Sequence, residues 1–291
     1  MKKLLTLDIV LVFILFVWGS LVRTHGAGLA CPDWPLCHGK IIPPMDTLVL
    51  LEWGHRLIAA IVGFLTLGIG IKIFSSEEYR KKSGIWAGIA LPLLILQVIL
   101  GALTVKQLLH PHFVTVHVAV GTLFFSCLII MLLKISDAHY VMRPSENVIP
   151  SAIVRGIWFM VALIFAQLIL GTLVSSSHAG LACPDFPTCL GQWIPPLIGT
   201  VAYHFFHRLI AYVILAAMVG LWLISKSVED PKFKTSVKVL LILTFLQLGL
   251  GISNVLFKLP LLVSVAHLAV ATALFSMALV TAYKITYARL S

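Results

Sequence analysis

Charge is what this chain has least of. Asp, Glu, Lys and Arg make up 11% of its 291 residues, and only 11 residues are acidic. An ordinary soluble domain is about a quarter charged, so a water-soluble globule is excluded for want of polar surface. A disordered chain needs high charge and low hydrophobicity, and is excluded for the same reason. The short alternating segments of a membrane β-barrel are missing. No small-residue cleavage site follows the apolar run after Met1-Lys2-Lys3, so that run reads as an anchor and not as a cleaved signal.

What remains is 60% apolar, with a mean hydropathy of +1.04. Eight apolar runs stand out, over about 7–24, 49–73, 84–105, 112–134, 152–174, 201–224, 236–256 and 260–283. Each has about the length needed to cross a hydrocarbon core of about 30 Å. The expected class is an all-α polytopic membrane protein. The net charge of +10 then comes from basic loops, with no nucleic acid implied. Lys2, Lys3, Lys72, Arg80, Lys81, Lys82, Lys134, Arg143, Arg155, Lys226, Lys232, Lys234, Lys238, Lys284 and Arg289 fall on one side, against Arg23, Lys40, Lys106 and Lys258 on the other. This bias predicts cytoplasmic termini, and puts the long connections 25–48 and 175–200 outside.

The chain repeats itself. His25-Gly-Ala-Gly-Leu-Ala-Cys-Pro-Asp-Trp-Pro-Leu-Cys37 matches Ser177-His-Ala-Gly-Leu-Ala-Cys-Pro-Asp-Phe-Pro-Thr-Cys189, an offset of 177 − 25 = 152. The same offset carries His55-Arg56 to His207-Arg208. Further on it falls to 150, so that Gln97 meets Gln247 and His117 meets His267. Four spans per half is an even number, so both halves share one topology. Two four-helix bundles related by a pseudo-two-fold axis along the membrane normal are expected, over 1–140 and 141–291.

Four of the 11 histidines fall at one depth, about five residues inside the outer helix ends. His55 and His117 form one pair, His207 and His267 the other. Two imidazoles facing across a bundle suit the axial positions of a haem iron. Zinc would want three or four ligands. His25, His38, His110, His112, His139 and His178 read as loop or interface residues. Arg56 and Arg208 are candidate partners of haem propionates, or else form ion pairs between helices. Glu52 lies one turn outward of His55 on the same face, and its counterpart is His204. An acid inside a membrane is expensive and marks function; the alternative is an i,i+4 pair with Arg56. Cys31/Cys37 and Cys183/Cys189 stand in the outer loops, as staples or as an electron-passing thiol pair. Gln97, Gln167 and Gln247, each four residues before a glycine, read as bonds between close helices.

The Glu52-Trp-Gly-His55-Arg56 motif, His207-Arg208, His117, His267 and the paired-cysteine loops resemble the haem A synthase family over nearly the whole chain. The resemblance implies oxidation of the C8 methyl of haem o to a formyl group. The product is haem a for cytochrome oxidase, with water supplying the oxygen. It implies substrate haem o on His55 and His117, cofactor haem b on His207 and His267, and Glu52 as the catalytic carboxylate. It further implies Cys31–Cys37 and Cys183–Cys189 disulfides, a bacterial cell-membrane setting, haem O synthase as partner and a membrane electron acceptor. Packed bundles of this kind often associate, so a homo-oligomer is one possible state that the sequence does not fix. Two other classes compete: a bis-His electron-transfer cytochrome b, and a quinone-linked thiol oxidase. A pyridine haemochrome spectrum with haem extraction separates them. The synthase gives haem b with haem o or haem a; the cytochrome gives haem b alone; the thiol oxidase gives none.

Overall fold

A computed structural model describes residues 1–44, 46–136 and 149–288. The expected boundary at 140/141, with His139, Arg143 and Arg289, lies outside these residues. Among the described residues, eight helices are long and apolar enough to cross a membrane. They are α1 Lys2–Thr24, α2 Thr47–Ser75, α3 Glu77–Lys106, α4 Pro111–Ile135, α5 Ser151–Ser176, α6 Gly199–Ser225, α7 Pro231–Leu256 and α8 Leu261–Ala288. Among the described residues there is no strand beyond two isolated bridges.

The helices outrun the apolar runs, most of all at α3, which starts at Glu77 where 84 was expected. Its first turns are charged but helical by i,i+4 pairing. Glu77–Lys81 and Glu78–Lys82 lie at 2.6 and 3.6 Å. The Ser76 hydroxyl caps this end by accepting from the Tyr79 N–H. Hydropathy does not see such a turn, because its stability is local and polar. The second half has two fewer residues here, yet α6 and α7 span only 27 and 26 residues against 29 and 30 for α2 and α3.

The chain divides into two compact units. The first is Met1–Ser136 with Ser264–Ala269, and the second holds the remaining described residues. In the first unit α1 packs on α2 and α4, and α3 packs on the same two helices. The four helices therefore form a ring, with α2 and α4 on a diagonal. Its core includes an edge-on Phe16–Phe125 contact at 5.8 Å. In the second unit α6 packs on α5 and α7, and Phe165 meets Phe275 at 6.1 Å.

Glycine sets the closest approaches. A Cβ on Gly54 would stand 3.0 Å from the Trp18 ring. The indole N–H of Trp18 donates to the Leu51 carbonyl of α2, 2.8 Å away. The counterparts at offset 152 are Leu170 and Phe206: the bulk has moved from one helix to the other. At the loop ends, Leu109 and Leu259 adopt left-handed φ values of 59° and 62°. Each lies against a glycine, Gly28 or Gly180, where a Cβ would come within 3.0 Å of it. Gly54→Ala should lower thermal stability in detergent by about 1–3 kcal/mol through overpacking. Adding Trp18→Leu should restore most of that loss.

Candidate functional site

Each cysteine loop is built around an aspartate. Asp33 Oδ1 accepts from the His38 N–H at 2.6 Å and Oδ2 from the Gly39 N–H at 2.8 Å. Asp185 does the same with Leu190 and Gly191 at 2.7 and 2.9 Å, and also accepts from the Thr188 hydroxyl. The turn needs left-handed backbone at His38, Gly39, Leu190 and Gly191. Both cysteine pairs, Cys31–Cys37 and Cys183–Cys189, are disulfide-bonded. Cys31, Cys37 and Val49 form a small buried cluster, against which Trp53 packs.

Arg56 reaches from α2 into this loop. Its Nη1 donates to the carbonyls of Asp33 and Leu36, each at 2.7 Å. Its Nη2 donates to the Cys31 carbonyl at 2.8 Å and to Glu52 Oε1 at 2.6 Å. Glu52 is buried, and its Oε2 accepts from the Cys31 N–H at 2.7 Å. The acid–base pair thus grips both sides of the Cys31 residue. The i,i+4 Glu52–Arg56 pair weighed from the sequence is present. The described contacts of Arg56 are to the loop and to Glu52, so a propionate would compete with three carbonyls.

The second loop is held in the same way by a different residue. Arg208 donates to the carbonyls of Asp185, Thr188 and Cys183, and its Nε donates to His204 Nε2 at 3.1 Å. The Cys183 N–H lies 3.3 Å from His204 Nδ1. A neutral imidazole accepts at one nitrogen only, so the shorter contact, to Arg208, is the one that counts. His204 therefore stands in for Glu52 in geometry but brings no negative charge.

His55 lies against Gly19 of α1 and His117 against Gly101 of α3; in each case a Cβ would stand 3.4 Å from the ring. The Gln97 side-chain amide lies 3.2 Å from His117 Nε2. His55 is on α2 and His117 on α4, the diagonal pair of the ring. Nδ1 of His55 and Nδ1 of His117 are buried with no protein partner. Such an orphan costs about 1–3 kcal/mol. Two of them on facing helices fit a site completed by something other than protein, and a bis-imidazole donor set suits haem iron. In the second unit His207 sits on Gly171, where a Cβ would come within 2.9 Å of it, and its carbonyl accepts from Gln167 at 2.8 Å. His267, at the repeat position of His117, lies on α8 in the stretch Ser264–Ala269 that is grouped with the first unit. His110 and His112, with ring centroids 5.2 Å apart, are exposed at the start of α4.

The profile of the cytochrome oxidase assembly protein family matches residues 2–48 and 45–279. The chain belongs to this family. A haem A synthase of Shewanella oneidensis is 30% identical to it over 91% of this chain and 90% of the relative. Those of Halalkalibacterium halodurans and Alkalihalophilus pseudofirmus are each 27% identical, over 93% and 91% of this chain and 92% and 90% of the relatives. The resemblance seen in the sequence agrees with these matches at the level of the family.

Sequence reasoning paired Glu52 with His204 but missed two things here: the arginines as loop clamps, and Trp18 over Gly54. The repeated Arg56/Arg208 at a fixed distance from the loops was the available signal for the first.

The Asp185 hydrogen bonds hold its carboxyl down at about 2, below the usual 3.8. The Gly39 amide, followed by that of His38, holds Asp33 below its usual value as well. A depressed folded value means that the stabilisation is complete above the unfolded value. It is lost as pH falls from 3.8 toward about 2. Amide exchange at Leu190 and Gly191 should stay protected down to the unfolded value and open below it. Asp185→Asn should remove that acid-dependent step.

Proposed function

We propose that this chain is a haem A synthase, an oxidoreductase that converts the C8 methyl of haem o to a formyl group. Membership of the family supports the activity. The observation that carries the site is a buried carboxylate, Glu52, three residues from a histidine whose ring nitrogen no protein group satisfies. On this reading His55 and His117 hold the substrate haem o. His207 and His267, their repeat counterparts, hold a resident haem b. Each half then works as one bundle, the first reactive and the second a relay. A bound haem b supplies a redox centre that accepts electrons and passes them to a membrane acceptor.

The residues of this chain do the rest. Glu52 is fixed by the Cys31 N–H and Arg56, one donor to each oxygen. An ionised carboxylate oxygen has a second lone pair, so Glu52 can take a proton without releasing the loop. The disulfide loop covers this end of α2 and keeps bulk water from it. Gly19 and Gly101 leave the imidazoles room on their helices. His204 takes the structural part of Glu52 with no acid, which suits a second site that only conducts electrons.

The charge bias puts the cysteine loops outside and both termini in the cytoplasm of a bacterial cell. A poorly soluble substrate favours direct handover from haem O synthase. Glu52→Gln keeps an acceptor for the Cys31 N–H but cannot take a proton. Haem a formation should fall about 10²–10⁴-fold, with both haems retained in the purified protein. Unchanged turnover would remove Glu52 from the catalytic role. An electron-transfer cytochrome b would show no haem o conversion in either form.

A further inference from the structure

The first unit contains a second buried acid that the site above leaves unused. Asp8 of α1 is fully buried. Its Oδ2 accepts from the Thr66 hydroxyl of α2 at 2.7 Å, and its Oδ1 has no hydrogen-bond partner. α1 packs on α2 and α4. From α2 the group that meets Asp8 is Thr66. Lys72 further along α2, and Lys2 and Lys3 at the start of α1, are exposed; Lys134 stands near the end of α4. None of these forms an ion pair with Asp8 among the described residues.

The repeat supplies the comparison. At the offset of 152, Asp8 corresponds to Met160 and Thr66 to Met218. Both methionines are buried, at 3% and 0% exposure. The same helix seam is thus closed by two apolar side chains in one unit, and by an acid and a hydroxyl in the other. Packing alone does not call for the acid. A carboxyl oxygen left bare inside a membrane helix pair is costly, and such groups mark ion or proton handling. Asp8 lies six residues from the first residue of α1, about 9 Å along the axis from the end opposite the cysteine loops. Thr66 and His55 are on one helix, eleven residues and so about 16 Å apart. A unit charge gained or lost at Asp8 acts on a charge held by His55 through a medium of low dielectric.

We propose that Asp8, with Thr66, is a proton-binding site that exchanges with the aqueous face opposite the cysteine loops and sets the charge beneath the His55–His117 site. One proton passes between water and Asp8 Oδ1, and no electron moves. The coupling to His55 rests on the haem reading; the proton site itself does not.

Two measurements on the full-length protein test this. Lipid-soluble dicyclohexylcarbodiimide adds to protonated carboxyls within membranes, and the adduct is located by peptide mass spectrometry. Asp8 should be labelled, with a rate that falls about ten-fold per pH unit above its titration; Asp8→Asn should remove the adduct. No adduct at any pH, or a rate indifferent to pH, overturns the proton site. This result needs no haem, so it is separable from a failure of the haem reading. The second measurement compares haem-loaded wild type with Asp8→Met/Thr66→Met, a pair that the second unit already accommodates. The reduction potential of the haem dependent on His55 and His117 should vary with pH across the labelling range in the wild type. It should be flat there in the double variant. Equal pH dependence in both proteins overturns the coupling. If the double variant fails to fold, Asp8→Asn gives the same comparison.

Discussion

Arg56 donates to the carbonyls of Cys31, Asp33 and Leu36 and to Glu52, and most of what surrounds the site depends on these bonds. A guanidinium near the end of a membrane helix needs acceptors, and the loop turns its carbonyls inward to supply them. Once the loop is folded over, its Cys31 N–H points back and fixes Glu52. The disulfide, the aspartate turn and Trp53 keep the loop in the shape that presents those groups. Arg208 repeats the arrangement. The invariant part of each unit is therefore a cation solvated by peptide carbonyls, and the variable part is the residue one turn before it.

That variable residue separates the two units. Glu52 forms an ion pair with Arg56, whereas His204 offers Arg208 a ring nitrogen and no opposite charge. The same separation recurs deeper in the units, where Asp8 and Thr66 take the place of Met160 and Met218. Both differences put an acid in the first unit. At the same positions the second unit carries His204 and Met160.

Much of this was legible in the sequence. Eight apolar runs predict eight helices because burial in lipid is a property of composition and length. The repeat and the matched depth of His55, His117, His207 and His267 follow from spacing alone. The contacts of Arg56 are not legible in that way. They depend on where a long side chain turns at the end of a helix, and on which carbonyls an irregular loop presents. The exchange of Trp18–Gly54 for Leu170–Phe206 is visible only once α1 and α2 are placed side by side. Asp8 lay inside the first apolar run as its single acid and could have been read from there; the run's strong overall hydropathy concealed it.

The span of the Arg56 bonds has a bearing on how the chain is made. They join residues 4, 20, 23 and 25 positions apart, and the Trp18 bond to Leu51 joins residues 33 apart. Apart from the Leu109 contact with Gly28, the contacts that close the first loop lie within the α1–α2 hairpin. Short separations close quickly and at small entropic cost. A nascent chain thus holds every partner of the Arg56 bonds, and of the bond that fixes Glu52, as soon as its second helix has emerged.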